Sequence, residues 1–283
     1  MKSNRANNRL LVGYLTFVNE ENRSRRLSVF EGTFPTLEML RNQPCDIISV
    51  DNNSLDEVKG RLVESGLFRY NLHFSQNFYD TAVIYCSALL AKERGYPYVM
   101  YMYDDFHVYD NSFVKDCLEF MDNNEHVHCL RIPLYDFDNK EKFDPDFTPK
   151  SINPDAVRHF NTITNKPVVW SKPIRIGSRS FYYNNWHYTS RPTLWRTEVL
   201  MSLFDGVNEI PILNMFERHA THKLNELPLV TGVMDKGAMH TVMQSERIRL
   251  VKKDRIDLKI RVSKEEISSA YMNHLHDTQE KSE

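Results

Sequence analysis

The chain has 283 residues, 41% of them apolar, and a formal charge of −2. It is long enough to bury a sizeable core and too nearly neutral to carry the electrostatic footprint of a nonspecific nucleic-acid binder, so nucleic acid enters only as an acceptor class. The four cysteines, Cys45, Cys86, Cys117 and Cys129, lie far apart and form neither zinc spacing nor a disulfide framework. No apolar run approaches the ~18 residues of a membrane span, and the opening Met1-Lys-Ser-Asn-Arg-Ala-Asn-Asn8 lacks the apolar core of a signal peptide. The expectation is a cytoplasmic protein with reduced thiols, which would meet a membrane-bound acceptor only by peripheral docking.

In chain order, Leu10 to Val18 reads as a first buried strand and Leu37 to Arg41 as part of the helix after it. Between them lies a polar excursion, Asn19 to Arg26. The run Asp46-Ile-Ile-Ser-Val-Asp51-Asn52-Asn53-Ser54 then takes an apolar strand to a carboxylate, followed by a helical pattern through Val58, Leu62 and Val63. Phe78 to Arg94 carries a helical stripe through Ala82, Val83, Cys86, Leu89 and Leu90, and Gly95-Tyr96-Pro97 stops it. That crossover helix feeds Tyr98-Val-Met-Tyr-Met-Tyr-Asp104-Asp105-Phe-His107-Val108, where two adjacent carboxylates end an apolar, β-prone run. An Asp pair of this kind is either a local strand cap or oxygen ligands for a hard divalent cation. Two Asp-terminated strands, each joined to a helix, describe a nucleotide site at the edge of a parallel sheet.

Farther along, Phe113 to Met121 reads as a helix behind the cap residues Asp110-Asn111-Ser112, and His126 to Ile132 as a strand closed by Pro133. His107, His126 and His128 lack the further ligand spacing of a zinc site. From Tyr135 to Ser171 no long periodic segment stands out, which reads as an ordered insertion anchored by Phe137, Phe143, Phe147 and Phe160. The aromatic cluster Phe181 to Tyr188 suits either a sugar-binding face or a hydrophobic seam. Ser190 to Leu200 leads into a helix, Ile212 to Leu224 forms another, and Leu229 to His240 gives a short strand, a turn and a return to the core. The charged stretch Ser245 to Glu283 carries apolar positions such as Ile260 and Val262, fitting an appended strand or helix, or an oligomer contact, with a frayed tail from about Asn273.

The strand, the Val50-Asp51-Asn52-Asn53-Ser54 turn, the long helix and the strand ending in Asp104-Asp105 together resemble the family 2-like glycosyltransferases of GT-A fold, from about Leu10 to about His240. The resemblance implies an α/β fold with a GT-A-like (Rossmann-related), mixed, mostly parallel sheet flanked by helices. It implies a glycosyltransferase domain over 1–245, with an acceptor-side insertion near 135–190 and a charged extension over 246–283. It further implies donor-binding roles for Thr16, Phe17, Asp51, Asn53, Asp104 and Arg191, with one of Arg23, Arg25 or Arg26 beside the base. Asp105 and His240 would stand at a Mn²⁺ or Mg²⁺ ion, and Glu217, with Glu209 and Glu226 as rivals, would be the base that deprotonates an acceptor hydroxyl. Tyr103 departs from the family pattern, standing where a first acid is common. The expected partners are a nucleotide-sugar donor and a glycan or other hydroxyl-bearing acceptor. A noncatalytic binding protein on the same fold is the alternative. A sugar nucleotidyltransferase is disfavoured because Asn19 to Arg26 contains no glycine for a phosphate loop.

Overall fold

A computed structural model describes residues 8–132, 134–136, 171–185, 192–227, 230–235, 237–241 and 260–280. Its elements, in chain order, begin with β1 (Leu10–Thr16), α1 (Arg23–Thr33), a 3₁₀ helix (Phe34–Leu40), β2 (Cys45–Asn52), α2 (Asp56–Glu64), β3 (Tyr70–Phe74) and α3 (Tyr79–Arg94). They continue with β4 (Tyr98–Tyr103), β5 (Phe106–Val108), α4 (Phe113–Asp122), β6 (Val127–Arg131), β7 (Leu134–Asp136), β8 (Ile174–Ile176) and β9 (Arg179–Asn184). The last are β10 (Thr193–Arg196), α5 (Thr197–Ser202), β11 (Glu209–Pro211), α6 (Leu213–Asn225), β12 (Val230–Met234), β13 (Met239–Thr241), β14 (Arg261–Ser263) and α7 (Lys264–Glu280).

Nine strands form the main sheet in the order β3-β2-β1-β4-β10-β6-β12-β9-β8. β1 pairs in parallel with both β2 and β4, and β2 with β3, whereas β10 enters antiparallel between β4 and β6. The chain steps outward from β1 to β3 and then returns to the other side of β1 for β4. The crevice beyond the carboxyl ends of β1 and β4 is therefore the topological switch point, where open α/β sheets bind their ligands. Every residue of β1, β2 and β4 is buried, as expected of strands covered on both faces.

α3 covers the centre of this sheet. It is buried over most of its length, from Asp80 to Ala91, so the stripe expected through Ala82, Val83, Cys86, Leu89 and Leu90 is only part of a surface buried nearly all round. Gly95 closes it in the left-handed conformation at φ 73°, where the Tyr96 amide reaches Ala91 O at 2.8 Å. At Gly13 the sheet and helix come closer than a side chain allows, since a Cβ there would lie 1.8 Å from Ser87 Oγ and 3.0 Å from Val83 Cγ2.

Several elements differ from the expectations. The second half of the polar excursion after β1 is helical, because α1 begins at Arg23; that helix lacks a strong apolar stripe and is held by Phe30, buried and stacked on Phe34 at 4.8 Å. β3 and β10 are strands that short, mixed-polarity segments conceal from a reading of periodicity. α7 continues to Glu280, past the expected fraying point. It docks on the core through buried Ile267 and Tyr271, with Tyr271 Oη donating to Glu93 Oε2 at 2.6 Å and Tyr85 Oη 3.1 Å from Ser268 Oγ. Most of the expected 135–190 insertion lies outside the described residues. The four cysteines are buried free thiols, and burial raises the Cys45 and Cys129 thiols to about 12. No helix among the described residues is long and apolar enough to cross a membrane.

Candidate functional site

The carboxyl end of β2 is built around Asp51. Its carboxylate is fully buried, accepting from Thr16 Oγ1 at 3.1 Å and from the Ser54 amide at 3.1 Å, with His73 Nδ1 at 3.8 Å. Ser54 Oγ in turn accepts the Val18 amide at 3.0 Å. The turn that follows β2 is thereby fastened to the loop that follows β1. Asn53 takes the left-handed conformation at φ 63° and is exposed, a geometry asparagine tolerates better than most residues. Thr16, Phe17, Asp51 and Asn53 thus meet at one end of the switch-point crevice.

Asn52 reaches across to the start of α3. Its Nδ2 donates to Tyr79 O at 2.7 Å and its Oδ1 accepts the Phe78 amide at 3.3 Å. Tyr79 sits at φ 58°, where a bulky residue is strained. No sequence signal marks this strain, since glycine or asparagine is the usual occupant of that region.

The carboxyl end of β4 carries the other half. Asp104 is buried, forms an ion pair with Arg26, and accepts the Phe17 amide at 3.2 Å; its carbonyl accepts from Thr33 Oγ1 at 2.5 Å. Burial raises the Asp104 carboxyl above its ordinary range, and the repulsion of Asp105 adds to this against the opposing Arg26 charge. Burial alone would lower the Arg26 pKa, but the Asp104 and Asp105 charges outweigh it and hold the guanidinium protonated. Of the three candidate arginines, Arg23 instead pairs with Glu57 at 3.0 Å. Arg25 lines a cavity of about 630 Å³ together with Phe17, Asn19, Asn22 and Asn77.

Asp105, also buried, passes directly into β5. β13 lies beside β5 with His240 opposite His107, and the two rings stack at 4.7 Å. The structure therefore brings His240 to the strand next to the one Asp105 leads into. His126 instead meets Tyr183, and His128 lies 3.3 Å from Thr231 Oγ1, so the three histidines of the zinc pattern are dispersed.

Among the described residues no group of three His, Cys, Asp or Glu forms a ready-made cation cage. Asp104 forms the direct ion pair with Arg26, whose guanidinium also feels the Asp105 charge, and both carboxylates are oxygen donors of the kind a hard divalent cation takes. A magnesium-type ion needs no protein cage, because one or two carboxylates with substrate phosphates and water suffice. The donor set fits such an ion through Asp105, while the imidazole of His240 is the less suited ligand for Mg²⁺ or Mn²⁺.

Glu217 is on α6. It lies beyond the first turn of α6, half-buried, rather than at the helix start. That helix is placed by Phe216, which stacks on Phe204, itself packed against Tyr85 of α3. Arg191 lies outside the described residues, as do Trp186 to Tyr188. The described part of the aromatic cluster is a seam: Phe181 is buried and stacked on Phe120 at 4.6 Å.

No protein-family model matches the chain, and no curated protein sequence matches it. Solved structures do resemble it. S. aureus TarS 1-349 superposes with a TM-score of 0.52 at 13% identity, covering 94% of this chain and 70% of that one. The mannosyltransferase PcManGT from Pyrobaculum calidifontis, solved with GDP-Man and Mn²⁺, gives 0.39 at 9% identity, covering 69% and 46%. A CMP:2-keto-3-deoxy-manno-octonic acid synthetase complexed with CTP gives 0.47 at 8% identity, covering 88% and 100%. At such identities the likeness is one of fold. The chain has a GT-A-like, Rossmann-related α/β fold.

Proposed function

We propose that this protein is a metal-dependent glycosyltransferase that moves a sugar from a nucleotide-sugar donor to an acceptor hydroxyl, inverting the anomeric centre by direct displacement. The observation that carries this reading is the convergence of Thr16, Phe17, Asp51 and the Asp104-Asp105 pair at the switch point of the sheet, joined by the hydrogen bonds of Asp51 and Asp104. Fold alone does not carry function.

In this reading Thr16, Phe17, Asp51 and Asn53 build the nucleoside end of the crevice, and Asp104 lies at its floor beside Arg26. Asp105, with His240 nearby, would hold Mn²⁺ or Mg²⁺. When bound, the ion would supply positive charge to a diphosphate leaving group. Glu217 would accept the proton of the acceptor hydroxyl as it attacks, and Arg191 would hydrogen-bond donor phosphate through its guanidinium. The acceptor is a glycan or another hydroxyl-bearing molecule. The catalytic domain is taken as 1–245, with 246–283 an extension, in a cytoplasmic protein that could dock peripherally at a membrane and associate into oligomers. A nucleotidyltransferase fits less well, because the segment after β1 forms α1 in place of a glycine-rich phosphate loop.

The test is calorimetric titration with UDP, GDP, CDP and dTDP, with and without Mn²⁺, on the wild type and on Asp105→Ala. Manganese-dependent binding of one nucleotide, lost in Asp105→Ala, is the expected result. Binding that ignores Mn²⁺ in both proteins would favour a noncatalytic nucleotide-binding protein, the reading suggested by Asp104 already being paired with Arg26. No binding of any nucleotide would sink the donor site.

A further inference from the structure

The two acids at the end of β4 occupy different environments. Asp104 lies among contacts that run backward in the chain: to Arg26 in α1, to the Phe17 amide just beyond β1, and through its carbonyl to Thr33 Oγ1. These three contacts all go to the segment from 17 to 33, which follows the first strand, although the Asp105 charge also acts on Arg26. That same segment supplies Phe17, Asn19, Asn22 and Arg25 to the cavity beside the strand ends. Asn19 and Asn22 stiffen it further, each side-chain carbonyl accepting the other's amide, at 2.9 and 3.0 Å. Asp105 leads away in the other direction, into β5 and toward β13.

We infer that Asp104 and Arg26 form a latch that sets the shape of the nucleoside-side loop, while the cation role proposed above stays with Asp105. Asp104 is then a positioning residue, acting on a nucleotide through Phe17 and the loop behind it. The physical basis is the cost of a buried charge. A carboxylate in this environment needs both a countercharge and hydrogen bonds, and Asp104 obtains them from the loop it orders. Arg26 is well matched to the task because a guanidinium stays protonated and presents several donors in a fixed plane. The latch also explains why α1 forms from so polar a sequence: the contact is tertiary, and the helix's own pattern does not announce it.

This assignment rests on the proposed nucleotide site, and the experiment separates the two. Asp104→Asn, Arg26→Met, the Asp104→Asn/Arg26→Met double variant, Arg26→Lys and Asp105→Asn are titrated with UDP, GDP, CDP and dTDP, with and without Mn²⁺. Amide hydrogen exchange at Phe17 and thermal melting are recorded alongside. The latch predicts that Asp104→Asn and Arg26→Met each weaken nucleotide binding by about tenfold, by the same factor with and without Mn²⁺. The double variant is no weaker than either single one, Arg26→Lys recovers part of the loss, and Phe17 exchanges faster in both single variants. Asp105→Asn loses only the manganese-dependent gain and leaves Phe17 exchange at the wild-type rate. Should a single variant fail to fold, the double variant carries the comparison, since removing both charges together leaves neither buried alone. Loss of the manganese dependence in Asp104→Asn as in Asp105→Asn would overturn the assignment, as would unchanged Phe17 exchange in Arg26→Met. If the wild type binds none of the four nucleotides, the glycosyltransferase reading falls, while Phe17 exchange and the melting of single against double variants still decide the latch.

Discussion

Asn52 illustrates how a single side chain sets the crevice. Its amide satisfies both the Phe78 N–H and the Tyr79 carbonyl, and it does so across a left-handed Tyr79, a conformation that costs a bulky residue roughly 1–2 kcal/mol. Asn52→Ala removes both bonds and leaves the strained backbone unsupported. Urea unfolding is expected to show a loss of about 1–3 kcal/mol, with the denaturant slope unchanged. A loss under about 0.5 kcal/mol would mean that the turn holds itself. The Val50 to Ser54 turn was legible as a site because an apolar run stops there at a carboxylate. The role of Asn52 was not, since its partner at Tyr79 lies 27 residues away and only the folded chain brings them together. Arg26 shows the same limit: sequence offered three arginines in one polar stretch, and the ion pair with buried Asp104 distinguishes one of them.

Among the elements, β1 and α3 are the pair on which the site stands, because β1 ends at Thr16 and α3 begins at Tyr79. Their contact has no room to spare at Gly13. Ser87 Oγ could rotate away from an added methyl, but Ser87 Cβ and Val83 Cγ2, each 3.0 Å from it, belong to the wall of the helix. Gly13→Ala is therefore expected to destabilise by about 1–3 kcal/mol, as overpacking of a well-filled core does. Thermal and urea unfolding would check this, and a neutral result would show that α3 can slide outward at little cost. The long buried strands and α3 were readable from apolar runs, stop signals and the Asp-terminated ends. β3 and β10 were not, because their pairing comes from neighbours rather than from alternation of their own residues. α1 escaped for the related reason that charged and small polar residues outnumber its apolar ones.

At the scale of the whole molecule, the C-terminal helix belongs to the packing of the sheet layer. Tyr271 is buried against α3 and hydrogen-bonded to Glu93. Tyr271→Ala is expected to cost about 3–5 kcal/mol, as removal of a large buried aromatic does. Tyr271→Phe keeps the ring and should cost only about 0.5–1.5 kcal/mol. Equal melting of the two variants would sink the claim that packing, more than the hydroxyl, holds α7. The composition showed that a core was affordable and the resemblance implied its architecture, but neither revealed that residues after 260 help close it. The placement of β10 between β4 and β6 also bears on how the molecule is made. On the ribosome, both flanking strands exist before the one that joins them. The roughly 60 residues from the end of β6 to the start of β10 take about 3–12 s to synthesise at about 5–20 residues per second. For that interval β4 offers one unpaired edge and β6 two, because β12, the other neighbour of β6, is made later still, so the middle of the sheet is among the last places to become safe from aggregation.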